Sequence, residues 1–260
     1  MKSTMRTPFA IFFSIVLSIG LNAQEGKKVL SIDDYPQWSS IVSAAISDDG
    51  NWINYSYRPN GGDDTLYFKN INSGKLFSEA YGERAQFSKD SKWVVYKKNL
   101  QKKKAEKLRK NKKTVYTKGV LLELETGKKL EWDKVSTISI SPRSDFTVIK
   151  KTTGSKDFKG SDLLLKNMKT GSLMNIGNVS QYKFNKKGSL LAYIVDADSK
   201  AGNGVYLMDL ASGKVTSLDT DSCTYSQLTW DDEMLYPSEN QQKGSSLAVL
   251  AGNKLDSLTQ

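Results

Sequence analysis

The chain has 260 residues, a formal net charge of +10 and a hydrophobic share of 38%, which suits one large strand-and-turn domain with much polar loop. It has no histidine and one cysteine, Cys223; an internal disulfide is therefore excluded, as is a Ser-His-Asp or Cys-His mechanism within these residues, because both need imidazole to carry a proton near neutral pH. Residues 101–113 carry +7, Lys2 and Arg6 add two charges, and the rest sums to +1, so the body gives no nucleic-acid signal and a zinc site lacks its usual ligands.

Residues 1–23 read as a secretory signal. Lys2 and Arg6 give a positive start, and Phe9 to Leu21 is an apolar run of 13 residues, short for a membrane span. Cleavage is expected after Ala23, leaving Gln24 first, with an uncleaved anchor as the alternative. No cysteine stands at that point, which excludes a lipoprotein. The expected location is periplasmic or extracellular, with no membrane span after cleavage, and Cys223 reads as a buried apolar filler.

Residues 24–42 read as a lead-in. Asp33 is expected to cap a helical turn before Pro36, and Trp38 to rest on the first repeat. From there one pattern recurs: a short apolar run, a polar turn, a second apolar run. It appears around Ile46-Ser47-Asp48-Asp49-Gly50-Asn51-Trp52, Phe87-Ser88-Lys89-Asp90-Ser91-Lys92-Trp93, Ile140-Ser141-Pro142-Arg143-Ser144-Asp145-Phe146 and Phe184-Asn185-Lys186-Lys187-Gly188-Ser189-Leu190. A worn fifth copy runs from Gln227 to Tyr236. With Ser47, Ser88, Ser141, Asn185 and Trp230 taken as equivalent, the steps are 41, 53, 44 and 45 residues.

Each copy has a second half, turning at Asn72-Ser73-Gly74-Lys75, Glu125-Thr126-Gly127-Lys128, Lys169-Thr170-Gly171-Ser172, Ala211-Ser212-Gly213-Lys214 and Ala251-Gly252-Asn253-Lys254. Two hairpins per unit at a period of about 40–45 residues are the signature of a propeller blade. The predicted fold is all-β: a β-propeller with about five four-stranded blades, an incomplete seven- or eight-bladed ring. The blades are placed at about 43–83, 84–135, 136–179, 180–224 and 225–260. Trp52, Tyr55, Trp93, Tyr96, Phe146 and Tyr193 recur at matching places and are assigned to packing between blades.

The long second step holds an insert, Gln101 to Lys113, between the second and third strands of unit two. Its single Leu gives no apolar face, so it reads as a solvated flexible loop, with binding to an anionic surface as the alternative. Asp48-Asp49 and Asp231-Asp232 fall in turns, where Asp accepts backbone hydrogen bonds; Asp33-Asp34 and Asp63-Asp64 are further acidic pairs. Asp196-Ala197-Asp198 lacks the Gly and distal Glu of a calcium loop. Gly244-Ser245-Ser246-Leu247-Ala248 grazes a nucleophile elbow but lacks the last Gly and any histidine to activate Ser246. No catalytic residue, cofactor or metal is assigned.

The run Leu30-Ser31-Ile32-Asp33-Asp34-Tyr35-Pro36-Gln37-Trp38, with Ile46 to Tyr55, Thr65-Leu66-Tyr67-Phe68-Lys69-Asn70 and the Lys-rich insert, resembles the N-terminal propeller of secreted bacterial peptidases of the prolyl oligopeptidase family. The resemblance spans residues 24–260; its most specific part is Asp-Tyr-x-x-Trp before the first blade. It implies a non-catalytic propeller that gates or holds peptides for a C-terminal α/β-hydrolase domain carrying Ser, Asp and His. On that reading these residues are the front of a longer peptidase and aggregate or stay partly unfolded when made alone. A free-standing TolB-like periplasmic propeller that binds a protein or glycan is the rival; a lactonase-type propeller enzyme is disfavoured by the missing histidine.

Overall fold

The computed structural model describes residues 29–154, 158–221, 225–231, 246–251 and 254–259. The expected signal, Cys223, the strand expected at 233–236 and the Gly244-Ser245 part of the elbow-like run lie outside them.

A 3-10 helix, Ile32–Gln37, leads in. Ser31, not Asp33, stands at its N-cap, and Asp34 accepts the Ser31 N–H at 3.0 Å. A carboxylate three residues on serves the cap amide better than one two residues on. Trp38 is 48% exposed, and its ring centre lies 5.9 Å from that of Tyr35. The tie to the first sheet is through backbone, since the Trp38 carbonyl accepts the Asn60 N–H at 2.8 Å.

The first sheet holds β1 (Ser39–Ile46), β2 (Trp52–Pro59), β3 (Thr65–Asn70) and β4 (Leu76–Ala80). The second holds β5 (Gly82–Phe87), β6 (Trp93–Lys98), β7 (Lys118–Glu123) and β8 (Lys129–Trp132). In both, strand order follows chain order and neighbours are antiparallel.

The third and fourth blades are not separate sheets. β9 (Val135–Ile140), β10 (Phe146–Lys151), β11 (Ser161–Asn167), β12 (Leu173–Phe184), β13 (Leu190–Val195), β14 (Gly204–Asp209) and β15 (Val215–Thr220) form one seven-stranded meander. β12 is shared: its first half pairs with β11 as the outer strand of one blade, its second half with β13 as the inner strand of the next. The change of partner falls at Asn178, in the left-handed region at φ 55°, and Val179 pairs on both sides. Asn tolerates that conformation better than most residues, so the chain bends there without breaking the strand.

The last described sheet has β16 (Tyr225–Asp231), β17 (Ser246–Ala251) and β18 (Lys254–Thr259). Among the described residues β16 pairs with β17. One expectation is corrected here. Trp230 lies inside β16, packed against the core beside Leu228 as Phe184 packs in β12, so the counterpart of Asn185 is one residue further on, at Asp231.

The molecule is thus a β-propeller of meander blades. Alternate side chains of β6 serve opposite joints, as period two requires. Val94 and Tyr96 pack with Trp52, Leu66 and Phe68 of the first sheet. Val95 and Trp93 pack with Ile138 and Ile140 of the third. In the next joint Val148, Leu163 and Leu165 meet Leu191 and Tyr193. Both faces of β6 are withdrawn from water, which is why Trp93-Val94-Val95-Tyr96 reads as a continuous apolar run.

The polar turns hold the register. In each of the first four blades the same residue receives its strand partner twice. The N–H groups of Ser47, Ser88, Ser141 and Asn185 donate to the carbonyls of Trp52, Trp93, Phe146 and Leu190 at 2.8–3.1 Å. Their side-chain oxygens accept the N–H of those same residues at 2.9–3.0 Å. Each is buried, so losing the oxygen would strand an amide, at a cost of about 1–3 kcal/mol.

Candidate functional site

The turns between first and second strands gather at one end of the blades. The joints between sheets and the loops between second and third strands gather at the other. The insert stands at this second end, and it is not a flexible loop: Lys102–Lys110 is an α-helix, here α1. A lysine-rich first turn opposes the helix dipole. The first blade answers it with acids, since Asp63 accepts the Lys102 N–H at 2.8 Å and Asp64 meets Lys102 Nζ at 3.3 Å. Lys107, Arg109 and Lys110 in the last turn favour the dipole. Ala105 is buried and Leu108 partly so, which gives the helix a narrow apolar contact one turn wide.

Between α1, the strand ends and the joints lies a cleft of about 530 Å³, within the range of small-ligand pockets. Its apolar lining includes Tyr81, Leu100, Leu108 and Tyr116. Lys98, Lys104, Lys118 and Lys134 stand around it, with Asp133. A hollow of about 240 Å³ adjoins it, sharing Tyr81, Asn99 and Leu100.

Two joints place these groups. Tyr81 and Lys134 are both in the left-handed region, at φ 66° and 55°, where one sheet hands over to the next. Their carbonyls accept the N–H of Asn99 and Thr152, at 2.9 and 2.7 Å. The Lys134 ammonium lies 5.2 Å from the centre of the Tyr116 ring, a cation–π contact that holds it at the rim.

One wall is unusual. Residues 113–117 link α1 to β7 with neither helix nor strand structure. Among the described residues, Thr114, Val115 and Tyr116 make no backbone hydrogen bond through either N–H or C=O. Peptide groups left open beside a cleft are what an added peptide segment pairs with.

Under the cleft a buried carboxylate ties blade one to blade two. Glu79 of β4 accepts Tyr96 Oη at 2.8 Å, Lys98 Nζ at 2.6 Å and Lys129 Nζ at 2.7 Å. Burial raises its pKa, but the bonds from Lys129, Lys98 and Tyr96 outweigh this and hold it below the usual carboxylate range. Burial, then the Glu79 charge, pushes the Tyr96 phenol well up, so it stays protonated and keeps donating. Asp64 follows the same balance: burial raises it, and Arg58 and Lys102 bring it below its ordinary value. The positive charge of Lys118 is strengthened by Glu131 at 3.1 Å and Asp133 at 3.4 Å.

Three acidic clusters among the described residues resolve into structural parts. Asp49 accepts Ser47 Oγ at 2.6 Å and the Asn51 N–H at 3.0 Å. Asp63-Asp64 anchors α1. Asp196 is buried and accepts the Lys159 N–H at 2.9 Å and Asn203 Nδ2 at 3.3 Å. Among the described residues no three His, Cys, Asp or Glu side chains gather as a metal would need. No described helix is long and apolar enough to cross a membrane. The repeated aromatics join blades: Trp52 and Tyr96 in one cluster, Trp93 in the next, Phe146 and Tyr193 in a third. Tyr55 instead stacks on Tyr67 at 5.4 Å on the outer face of the first sheet, the place Tyr193 and Tyr206 hold at 5.5 Å between blades three and four.

The sequence reading named no site residue and so missed the cleft. Its one signal was the charge concentrated in residues 101–113; nothing in that window shows that it folds over Tyr81 and Tyr116.

No family model matches the chain, and no curated protein does. Solved structures similar to it include the β-propeller domain of the Trilobed protease from Pyrococcus furiosus, with 9% identity and TM-score 0.47, over 86% of this chain and 72% of that one. TolB from Acinetobacter baumannii is similar at 13% identity and TM-score 0.38, over 85% and 55%. An acylaminoacyl peptidase of Pyrococcus horikoshii is similar at 12% identity and TM-score 0.44, over 83% and 39%. This chain therefore spans well under two thirds of the latter two. At these identities and scores the fold rests on the meander and its register.

Proposed function

We propose that this chain is a peptide-holding propeller without chemistry of its own, the propeller portion of a secreted serine peptidase of the prolyl oligopeptidase family. Its partner is an α/β-hydrolase domain supplying Ser, Asp and His. Residues 1–23 act as the export signal, removed after Ala23. The observation that carries the peptide reading is the cleft beneath α1, with the unpaired peptide groups of Thr114 and Tyr116 in its wall. A segment laid along that wall gains main-chain hydrogen bonds, while the apolar lining takes its side chains. The family rests on the run Asp34-Tyr35-Pro36-Gln37-Trp38, whose Tyr35 carbonyl accepts Asn60 Nδ2 at 3.2 Å and whose Trp38 carbonyl accepts the Asn60 N–H.

The test is to take the soluble fraction of residues 24–260, confirm by circular dichroism that its blades are folded, incubate it with a mixed peptide library, and follow both binding and intact peptide mass. The account expects retention of peptides and no cleavage. Cleavage by the pure chain, or no retention of any peptide, contradicts it.

A further inference from the structure

We propose that the cleft selects acidic peptides, with Lys104 and Lys134 as the pair that receives their carboxylates. The inference rests on the reading of the cleft as a peptide site, and it comes from which cations around the cleft are already in use. Lys98 is held by Glu79 at 2.6 Å, Lys118 by Glu131 and Asp133, and Lys102 by Asp64. Among the described residues, Lys104 and Lys134 enter no ion pair, and both side chains are exposed. Lys134 is steadied against the Tyr116 ring. Lys104 stands four residues before Leu108, so the two share the helix face that lines the cleft.

The arrangement is an apolar floor with two ammonium groups above it that enter no ion pair among the described residues. The ligand that fits carries apolar side chains beside carboxylates. Lys103, Lys107 and Lys110 on the rest of α1 make the entrance positive and speed the approach of an anion. A nucleic acid or an anionic membrane would use those outward lysines too, but its phosphates can only accept from the open N–H groups of Thr114 and Tyr116, whereas a peptide pairs with their N–H and C=O alike. That wall favours a peptide over either.

The experiment uses the full chain and two fluorescein-labelled peptides, Gly-Leu-Glu-Leu-Glu-Gly and the form with Gln for each Glu, read by fluorescence anisotropy at low and physiological salt. The acidic peptide should bind about tenfold tighter, as charge-assisted bonds to two lysines would give, with the ratio shrinking as salt rises. The double variant Lys104→Gln, Lys134→Gln should lose that preference, and Lys103→Gln, Lys110→Gln should keep it. Equal binding of the two peptides overturns the inference and leaves the peptide reading standing; binding of neither overturns both. Equal losses from the two double variants overturn it in favour of diffuse charge. A phosphatidylglycerol vesicle or a DNA oligonucleotide that binds tighter than the acidic peptide, through the same two lysines, overturns it in favour of a polyanion site. Should the Lys104 and Lys134 double variant misfold, the acid-to-neutral ratio of the unaltered chain decides alone.

Discussion

Ser144 accepts the backbone N–H of Lys89 through its Oγ at 2.7 Å, across the joint between the second and third blades. One blade earlier, Ser91 Oγ accepts the N–H of Asp49, one turn position later than Lys89, at 3.1 Å. Both serines are buried and both sit in the left-handed region, at φ 63° and 55°, where the other blades carry Gly50 and Gly188. A non-glycine residue costs about 1–2 kcal/mol there. The hydroxyl offsets that cost by closing the joint. At the next joint Gly188 has no hydroxyl to take an N–H; a Cβ there would come within 3.1 Å of the Arg143 backbone nitrogen and of Pro142 Cβ. Close packing replaces the hydrogen bond.

Ser144→Ala keeps the backbone strain and leaves the Lys89 N–H without its partner. It should lower stability by about 1–2 kcal/mol. Ser144→Gly loses the same bond but relieves the strain, so it should cost less than Ser144→Ala. Urea midpoints compare the two; an alanine variant as stable as the parent would contradict the relay.

Asn54 is buried at 1% exposure, and neither atom of its amide finds a hydrogen-bond partner. Val95 and Val148 occupy the same register position in the next two blades, each fully buried. Asn54→Val should therefore raise stability, by about 1–3 kcal/mol, the cost of an unsatisfied buried polar group. A fall in the melting midpoint would mean that the amide is satisfied.

The Glu79 cluster makes stability depend on pH. Its folded pKa lies below the ordinary value of 4.5. Its contribution is therefore full above the unfolded pKa, near about 4.3, and is lost as pH falls through the lower folded value. Glu79→Gln should cost about 2 kcal/mol near neutral pH, since charged hydrogen bonds to Lys98 and Lys129 go. The gap between variant and parent should narrow in acid, below about pH 4. A gap independent of pH would show that packing, not charge, is what the variant loses.

Replacing residues 101–113 by a direct link should leave the blades folded. Lys98 and Lys118 already pair across β6 and β7, so a shorter loop can close that hairpin. The ion pair of Lys102 with Asp64 is partly exposed and worth at most about 1 kcal/mol. Retained far-ultraviolet circular dichroism together with lost peptide binding is the expected result. An unfolded product would make α1 part of the core.

The turns were legible because one chemistry repeats. Ser47, Ser88, Ser141 and Asn185 each hold the residue five further on, so the alignment by eye is the alignment by hydrogen bond. The helix was not legible, since a lysine-rich window with one Leu lacks an apolar stripe. Its N-terminus is fixed by Asp63 and Asp64 from another blade, a contact that local pattern cannot show. The shared strand β12 escaped notice because a strand that changes partner at Asn178 and a strand followed by a tight turn look alike in sequence. The cleft was hidden for the same reason as the helix: its walls come from segments far apart in the chain.

The most direct measurement is backbone amide exchange of the full chain, with and without saturating peptide. The account predicts slowed exchange at Thr114 to Lys118 and across α1, with the opposite turns around Ser47, Ser88 and Ser141 unchanged. Protection confined to those opposite turns, or none at all at saturation, would contradict it.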